Sequence, residues 1–242
     1  MTTAPNKAPD RIAGMFDAIA PRYDLLNHVL SAGIDQRWRA RAIRSLGLTG
    51  RETLLDVCTG TADVALQARR HGPSGAPAAA RVVGIDFAGA MLSIGLSKAR
   101  SMGEAGAIAL VRGDATRLPV GSRSVDAATV AFGIRNVERP ELACLELARV
   151  MRPGSRLAIL EFGVPRMPGV SALYSWYFNH LLPSVGRMVS GHTAAYSYLP
   201  ASVGSFPPPK VFMAMLEQAG FAEVRADPLT FGIAYLYTGV RR

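Results

Sequence analysis

The chain is 242 residues long, 49% hydrophobic and 19% charged, with 27 Lys and Arg against 18 Asp and Glu, for a formal charge of +9. That length suits one large domain (1–242), the apolar content can bury a full core, and global disorder is excluded. Two cysteines, Cys58 and Cys144, cannot build a disulfide framework; no C-x-x-C spacing occurs and the histidines are isolated, so no metal site is expected and a reducing cytoplasm is the natural setting.

The first ten residues are polar and lack the apolar core of a signal peptide. Residues 11–48 read as helical: Ile12, Met15, Phe16 and Ile19 recur at helical spacing, as do Leu25, Leu26, Val29 and Leu30, with Pro21 separating the two segments. Asp35 is the expected N-cap of a third helix, Gln36 to Leu46, which Gly47 ends. Arg37, Arg41 and Arg44 share one face of that helix, either a solvated face or a face for an anionic membrane.

Short apolar strands then alternate with helices. Strands are expected at 53–58, 81–86, 107–112, 124–132 and 156–162, with helices at 64–70, 89–102 and 140–151 and a turn at Arg152-Pro153-Gly154. Strands apolar on both sides and separated by helices imply an α/β fold with a parallel sheet covered on both faces. Residues 163–206 break the rhythm and concentrate aromatics: Tyr174, Trp176, Tyr177, Phe178, Tyr196, Tyr198 and Phe206. Tyr174, Tyr177, Phe178 and Leu181 fall on one helical face, suited either to a lid or to packing on the sheet. The most apolar stretch, 170–189, is interrupted by Asn179, His180, Pro183 and Arg187, so no membrane-spanning helix is expected. A helix at 210–219 and strands at 221–226 and 231–240 complete the chain.

The chemistry sits at strand ends. The first strand closes in Asp56-Val57-Cys58-Thr59-Gly60-Thr61-Ala62-Asp63. A Gly turn between strand and helix lets a ligand approach the backbone, but the G-x-G-x-x-G pattern is absent and Asp56 would repel a pyrophosphate. Asp56 could instead attract the ammonium or sulfonium of S-adenosylmethionine; the alternative is an ordinary turn. Asp86, ending the second strand, can accept hydrogen bonds from both ribose hydroxyls, or cap a helix. Asp114, after the third, can take an adenine amino group, or serve a turn. Three acids at three successive strand ends favour a cationic nucleoside over three unrelated turns.

Four stretches carry a resemblance to a family. They are Met15 to Asn27 (MFDAIAPRYDLLN) with Ser31, Gly33, Arg37 and Trp38; Ala131 to Val137 (AFGIRNV); Arg149 to Gly154 with Leu160-Glu161-Phe162; and Tyr196-Ser197-Tyr198-Leu199-Pro200 with Ser202, Phe206 and Pro207. Over most of its length the sequence resembles the ubiquinone/menaquinone-biosynthesis C-methyltransferases. The resemblance implies a Rossmann-like class I methyltransferase fold: a seven-stranded, mostly parallel sheet with an antiparallel last strand, N-terminal helices and a helical lid insertion. It implies S-adenosyl-L-methionine as cofactor, seated on Asp56, Gly60, Thr61, Asp86, Asp114, Ala115 and Ala131. This chain departs from the family at Cys58, Thr59 and Ala62, where glycines are common, and at Ala88 and Ala131, where serines are.

For C-methylation of a quinol, a ring carbon beside a phenolic oxygen attacks the donor methyl, and losing the phenol proton enriches that carbon. Arg135 could stabilise the phenolate or activate a water, Asn136 could orient the oxygen, and Tyr23 is a further polar handle. Arg135 could equally be a surface arginine, Tyr23 a packing residue and Asp24 a helix cap. A prenylated quinol is the expected substrate, demethylmenaquinol or a polyprenyl methoxybenzoquinol, met by transient contact of a cytoplasmic or peripheral enzyme with an anionic membrane. A different aromatic or secondary-metabolite substrate stays open, as does a homodimer. A nucleic-acid methyltransferase would show a clustered basic track, and a non-catalytic scaffold would have lost the acids; neither is expected.

Overall fold

The computed structural model of the chain describes residues 7–31, 33–70, 72, 76–165, 167–176 and 193–242, with the backbone alone described at 25–30, 168, 170, 173, 175 and 193–197. The strands are β1 (Thr53–Val57), β2 (Arg81–Asp86), β3 (Ile108–Arg112), β4 (Val125–Ala131), β5 (Met151–Phe162), β6 (Phe221–Leu229) and β7 (Ala234–Arg241). They form one sheet in the order β3-β2-β1-β4-β5-β7-β6. β1 to β5 pair in parallel, while β7 runs antiparallel to both β5 and β6. This is the Rossmann-like methyltransferase fold expected from the sequence.

The alternation of side chains along each strand builds two cores. Leu54, Ala127, Ala158 and Leu160 point to one face and pack with Trp38, Ile43, Val64 and Leu66. Their neighbours Leu55, Ala128, Leu157 and Ile159 point to the other and pack with Leu147, Phe212, Leu216 and Tyr237. The helices on the first face are α2 (Ile34–Ser45) and α3 (Asp63–Arg70) and those on the second α5 (Pro140–Val150) and α8 (Pro209–Gln218), with Tyr237 contributed by β7. β1 pairs on both edges and its residues 54–57 are buried, which is why it reads as a continuous apolar run broken only by Asp56.

Local boundaries differ from the sequence expectations in instructive places. α1 (Pro9–Leu30) is one helix that continues through Pro21. The missing proline N–H forfeits one helical bond, but Ile12, Ala13 and Ala20 of the same helix are buried, and that docking outweighs the local break. Asp35 is not an N-cap. It sits inside the first turn of α2, where its buried carboxylate accepts from Ser31 Oγ at 2.6 Å and from Arg39; Gly33, at φ +74°, is the N-cap. The Arg152–Gly154 turn is absorbed as an excursion in β5: Met151 already pairs with Val125, and pairing resumes at Arg156 opposite Ala127. β7 starts at Ala234, because Thr230–Gly232 is a 3-10 turn with Phe231 in the left-handed region.

The remaining helices are α4 (Gly89–Ser101), α6 (Pro168–Trp176) and α7 (Thr193–Ser205). α1 lies across α4 and against α7, so the N-terminal helix and the inserted segment meet at the carboxyl edge of the sheet. Tyr177, Phe178 and Leu181 of the expected aromatic face, and the side chain of Tyr196, lie outside the described residues. Among the described residues no helix is long and apolar enough to cross a membrane.

Candidate active site

The strand order reverses between β1 and β4, since the chain runs outward from β1 to β3 and then returns beside β1. At such a switch point the two loops diverge and leave a crevice at the strands' carboxyl ends. The loops approach closely there: a Cβ on Gly133 would lie 2.2 Å from Cys58 Cβ, so only glycine fits. The turn after β1 holds Cys58, Gly60 and Ala62 in left-handed conformations at φ +56°, +54° and +65°. Glycine is favoured at such φ, and the chain meets the demand once with glycine and twice without it. A Cβ on Gly60 would meet nothing within 4 Å, so the backbone there faces open space.

Asp86 ties this turn to its neighbours. Its Oδ2 accepts from the Gly60 N–H at 2.8 Å and its Oδ1 from the Ala88 N–H at 2.9 Å. Its backbone carbonyl accepts from Gly113 N at 2.9 Å, so one residue links the loops after β1, β2 and β3. Each carboxylate oxygen keeps a lone pair for a ligand, so the loop-holding and ribose-binding readings are compatible. Burial pushes the Asp86 carboxyl pKa up, against the lowering effect of the backbone bonds.

Asp56 lies under the turn at 1% exposure. Thr59 Oγ1 donates to its Oδ2 at 2.6 Å, and its Oδ1 has no hydrogen-bond partner among the described residues. Burial raises its pKa to about 7, opposed by the Thr59 bond and the nearby Arg39. Asp114 is exposed, and its Oδ1 accepts from Thr116 N at 2.8 Å, the turn role foreseen as its alternative. It also lines a cleft of about 230 Å³ with Phe87, Arg112, Gly113 and, from α1, Pro9, Asp10 and Ala13. Ala115 is buried beside it, and Ala131 ends β4 half-buried. The expected donor residues thus occupy adjacent strand ends, with Asp114 in the cleft, Asp56 beneath the turn and Asp86 joining the loops.

Thr61 faces a charged cluster that sequence reasoning missed. Its Oγ1 donates to Asp24 Oδ1 at 2.5 Å, and Lys98 Nζ donates to Asp24 Oδ2 at 2.9 Å and to Asp63. Asp63 also lies 3.6 Å from Arg39, itself paired with Asp35. Charges of alternating sign therefore run Asp35, Arg39, Asp63, Lys98, Asp24 across α2, α3, α4 and α1. Asp24 is a helix-to-helix tether in mid-α1 and not a cap. Asp17 adds a second tether by accepting from the Ala90 N–H at 2.8 Å. Tyr23 packs edge-on against Phe16 at 6.0 Å within the apolar contact of α1 with Ala88 and Met91.

On the β4 side, Ile134–Asn136 form a 3-10 turn, with Arg135 and Asn136 both 6% exposed. Arg135 is therefore no surface arginine. Its backbone N–H donates to Glu161 Oε2 at 3.1 Å and its Nη1 to Glu161 Oε1 at 2.7 Å. Nη1 also donates to Phe132 O, Nε donates to Ser202 Oγ of α7 at 3.4 Å, and the guanidinium lies 5.3 Å from the centre of the Phe162 ring. Glu161 is fully buried and also accepts from the Phe162 N–H at 2.8 Å. The Asn136 Oδ1 and the Tyr198 hydroxyl are buried without partners among the described residues. Burial raises the Tyr198 pKa, while Arg135 opposes the rise. Burial, then Arg135, lowers the Lys7 pKa. Burial, then Asp86, holds Cys58 well above the usual thiol range, so it is no thiolate nucleophile.

Residues 4–241 match the model of the ubiE/COQ5 methyltransferase family. The chain belongs to the ubiE/COQ5 methyltransferase family. Among its relatives, a protein of Syntrophotalea carbinolica named ubiquinone/menaquinone biosynthesis C-methyltransferase UbiE is 46% identical over 227 residues, covering 94% of this chain and 92% of that one. A demethylmenaquinone methyltransferase of Thermus thermophilus is 44% identical over 227 residues, covering 94% of this chain and 100% of that one. Solved structures of similar fold include the [4+2]-cyclase SpnF, with a TM-score of 0.71 and 17% identity over 98% of this chain and 97% of that one. A SAM-dependent methyltransferase from Thermotoga maritima has a TM-score of 0.64 and 14% identity over 95% and 99%. These structures establish the fold. That one of them is a cyclase shows why the chemistry of this ubiE/COQ5 family member must be argued from its site.

Proposed function

We propose that this methyltransferase uses S-adenosylmethionine to methylate a ring carbon of a prenylated quinol, demethylmenaquinol or a polyprenyl methoxybenzoquinol, while in contact with an anionic membrane surface from the cytoplasmic side. The names of the relatives support the substrate class. The buried Arg135–Glu161 pair at the β4 and β5 ends, on the same carboxyl edge as the three acidic strand ends, is the observation that carries the reading.

The residues fit a cationic nucleoside. The Gly60 backbone faces open space, Asp56 keeps an orphaned carboxylate oxygen, and acids dominate where a phosphate ligand would need donors. Asp86 would take the ribose hydroxyls with its remaining lone pairs, Asp114 the adenine amino group beside Ala115, and Gly60 and Thr61 the amino-acid end, with Ala131 at the methyl. When bound, the donor would supply an electrophilic methyl carbon, and the one proton that the ring gives up in exchange would leave to solvent.

The protein's part is alignment and charge. The Arg135 guanidinium is fixed in place by the buried Glu161, so it serves as a positioned cation for a phenolate and not as a base. The orphaned Asn136 Oδ1 can accept the phenol O–H and set the ring's orientation. Tyr23, half-buried on the tethered α1 against Ala88 and Met91, would close the apolar side. The test is a methyl-transfer assay with a membrane quinone extract, read by product mass. A product heavier by one methyl, dependent on the donor, is expected; the absence of any methylated quinone would refute the reading.

A further inference from the structure

At the rim of this crevice the protein exposes large apolar side chains where burial would be expected. Phe162 pairs with Ala234, so the chain leaving β5 and the chain entering β7 lie side by side at the carboxyl edge. They stay together beyond the ladder: Gly163 N donates to Ile233 O at 3.0 Å, and a Cβ on Gly232 would lie 3.9 Å from Pro165 Cα. From these two segments Val164, Met167 and Phe231 stand 53%, 54% and 65% exposed. Phe231 is the most exposed of the large apolar side chains in the described residues, and it stands in a turn at φ +59°, a conformation unfavourable for a bulky L residue. The turn is nevertheless fixed, because Trp38 Nε1 donates to Thr230 Oγ1 at 3.1 Å. An ordered turn that aims a phenyl ring at solvent marks a contact surface.

What covers it is indicated by the charge beside it. Trp38 belongs to α2, whose exposed face carries Arg37, Arg41 and Arg44. The only acid in α2, Asp35, is buried and paired with Arg39. Arg41 reaches 3.8 Å from Asp227, four residues before Phe231, which sets the arginine face against the apolar rim. An apolar wedge flanked by arginines fits an anionic bilayer, with the rings in the acyl boundary and the guanidinium groups at the headgroups.

We propose that Val164, Met167 and Phe231, flanked by Arg37, Arg41 and Arg44, form the face by which this protein docks on an anionic lipid bilayer. The proposal rests on the membrane-quinol reading above and deepens it. The same rim borders the Phe132, Phe162 and Trp38 rings at the strand ends, so docking there brings the crevice to the lipid from which an apolar substrate must come.

The test is vesicle flotation of the full chain, with phosphatidylcholine alone and with phosphatidylcholine mixed with phosphatidylglycerol. Binding is expected only to the mixed vesicles and should weaken as salt rises. Phe231→Ser should weaken it about tenfold, and Arg37→Ala with Arg41→Ala by more than tenfold. All three positions are exposed, and unchanged melting temperatures would confirm folding. Equal flotation on neutral vesicles, or variants that float like the parent, overturns the proposal. So does self-association of the parent that Phe231→Ser abolishes, which would assign the face to a second copy. Methylation of a short-tailed, water-soluble quinol should be untouched in the variants. If the parent cannot methylate it while flotation behaves as described, the substrate reading fails and the docking face stands.

Discussion

Arg135 and Glu161 are joined twice, through the backbone N–H and the guanidinium of the same arginine, so that one buried carboxylate fixes both the turn after β4 and the charge it presents. Neither group would be tolerated alone at this depth. The pair stands between the β4 and β5 ends and reaches the inserted helix α7 through Ser202.

Glu161→Ala strips a buried cation of its partner and should cost about 3–5 kcal/mol in denaturant unfolding. Glu161→Gln keeps an acceptor for Arg135 and should cost less. Its turnover should still fall while donor affinity measured by calorimetry is retained, because only the electrostatic hold on the guanidinium is weakened. Arg135→Ala should likewise reduce turnover far more than donor binding. Parental turnover in folded Arg135→Ala would remove this arginine from the chemistry.

Burial of Asp56 should make the protein sensitive to pH. Its folded pKa is raised to about 7 from the ordinary carboxylate value of 3.8, so the folded state holds a proton that the unfolded chain releases earlier. Stability should therefore fall as pH rises from about 4 to about 7, by a few kcal/mol at most, and Asp86, also raised, acts in the same direction. A cationic donor prefers the ionised carboxylate, so donor affinity should rise with pH through about 7. Asp56→Asn should flatten both curves. Thermal melts and calorimetry between pH 5.5 and 8 check this, and a donor affinity that falls over that range in the parent would contradict the assignment.

The centre of the sheet was legible because β1, β2 and β4 are short, largely buried apolar runs, and the two-faced core needs that pattern. The family stretches around Arg135 and Asn136 were legible too, but the state of Arg135 was not. Its partner Glu161 lies 26 residues away, and only strand pairing brings the two together. The signal was present: an acid at the end of the otherwise apolar run Leu157–Leu160 needs a buried partner. The helix break expected at Pro21 is absent because local backbone chemistry carries no sign of the docking of α1. The alternating charges from Asp35 to Asp24 were invisible for a different reason, since they join four helices whose packing no linear spacing encodes.

Asp86→Ala should weaken donor binding more than tenfold, since a bidentate ribose contact would be lost and two backbone N–H groups, of Gly60 and Ala88, would lose their acceptor. Asp86→Asn retains an acceptor for one of these groups and should fall between alanine and the parent. Unchanged calorimetric affinity in the alanine variant would reduce Asp86 to a purely structural residue.

Lys98 offers the sharpest test of whether α1 belongs to the donor site. Its amine meets Asp24 of α1, Asp63 of α3 and, at 3.3 Å, the Thr61 hydroxyl of the donor turn. Lys98→Met keeps most of the aliphatic stem but leaves two carboxylates facing each other without their shared cation. The groups are only partly buried, so the expected loss of stability is modest, about 1–2 kcal/mol. The consequence should be local: α1 keeps its apolar contact with Met91 and its Asp17 bond but loses the tether at Asp24. Amide exchange over residues 9–24 should therefore accelerate more than in the β1–β4 ladder, and donor affinity should drop because Thr61 is released with it. Saturating donor should slow that exchange in the parent, since α1 lines the cleft at Pro9, Asp10 and Ala13. Exchange in α1 that responds neither to donor nor to Lys98→Met would show that the charged chain braces the helices without coupling them to the ligand.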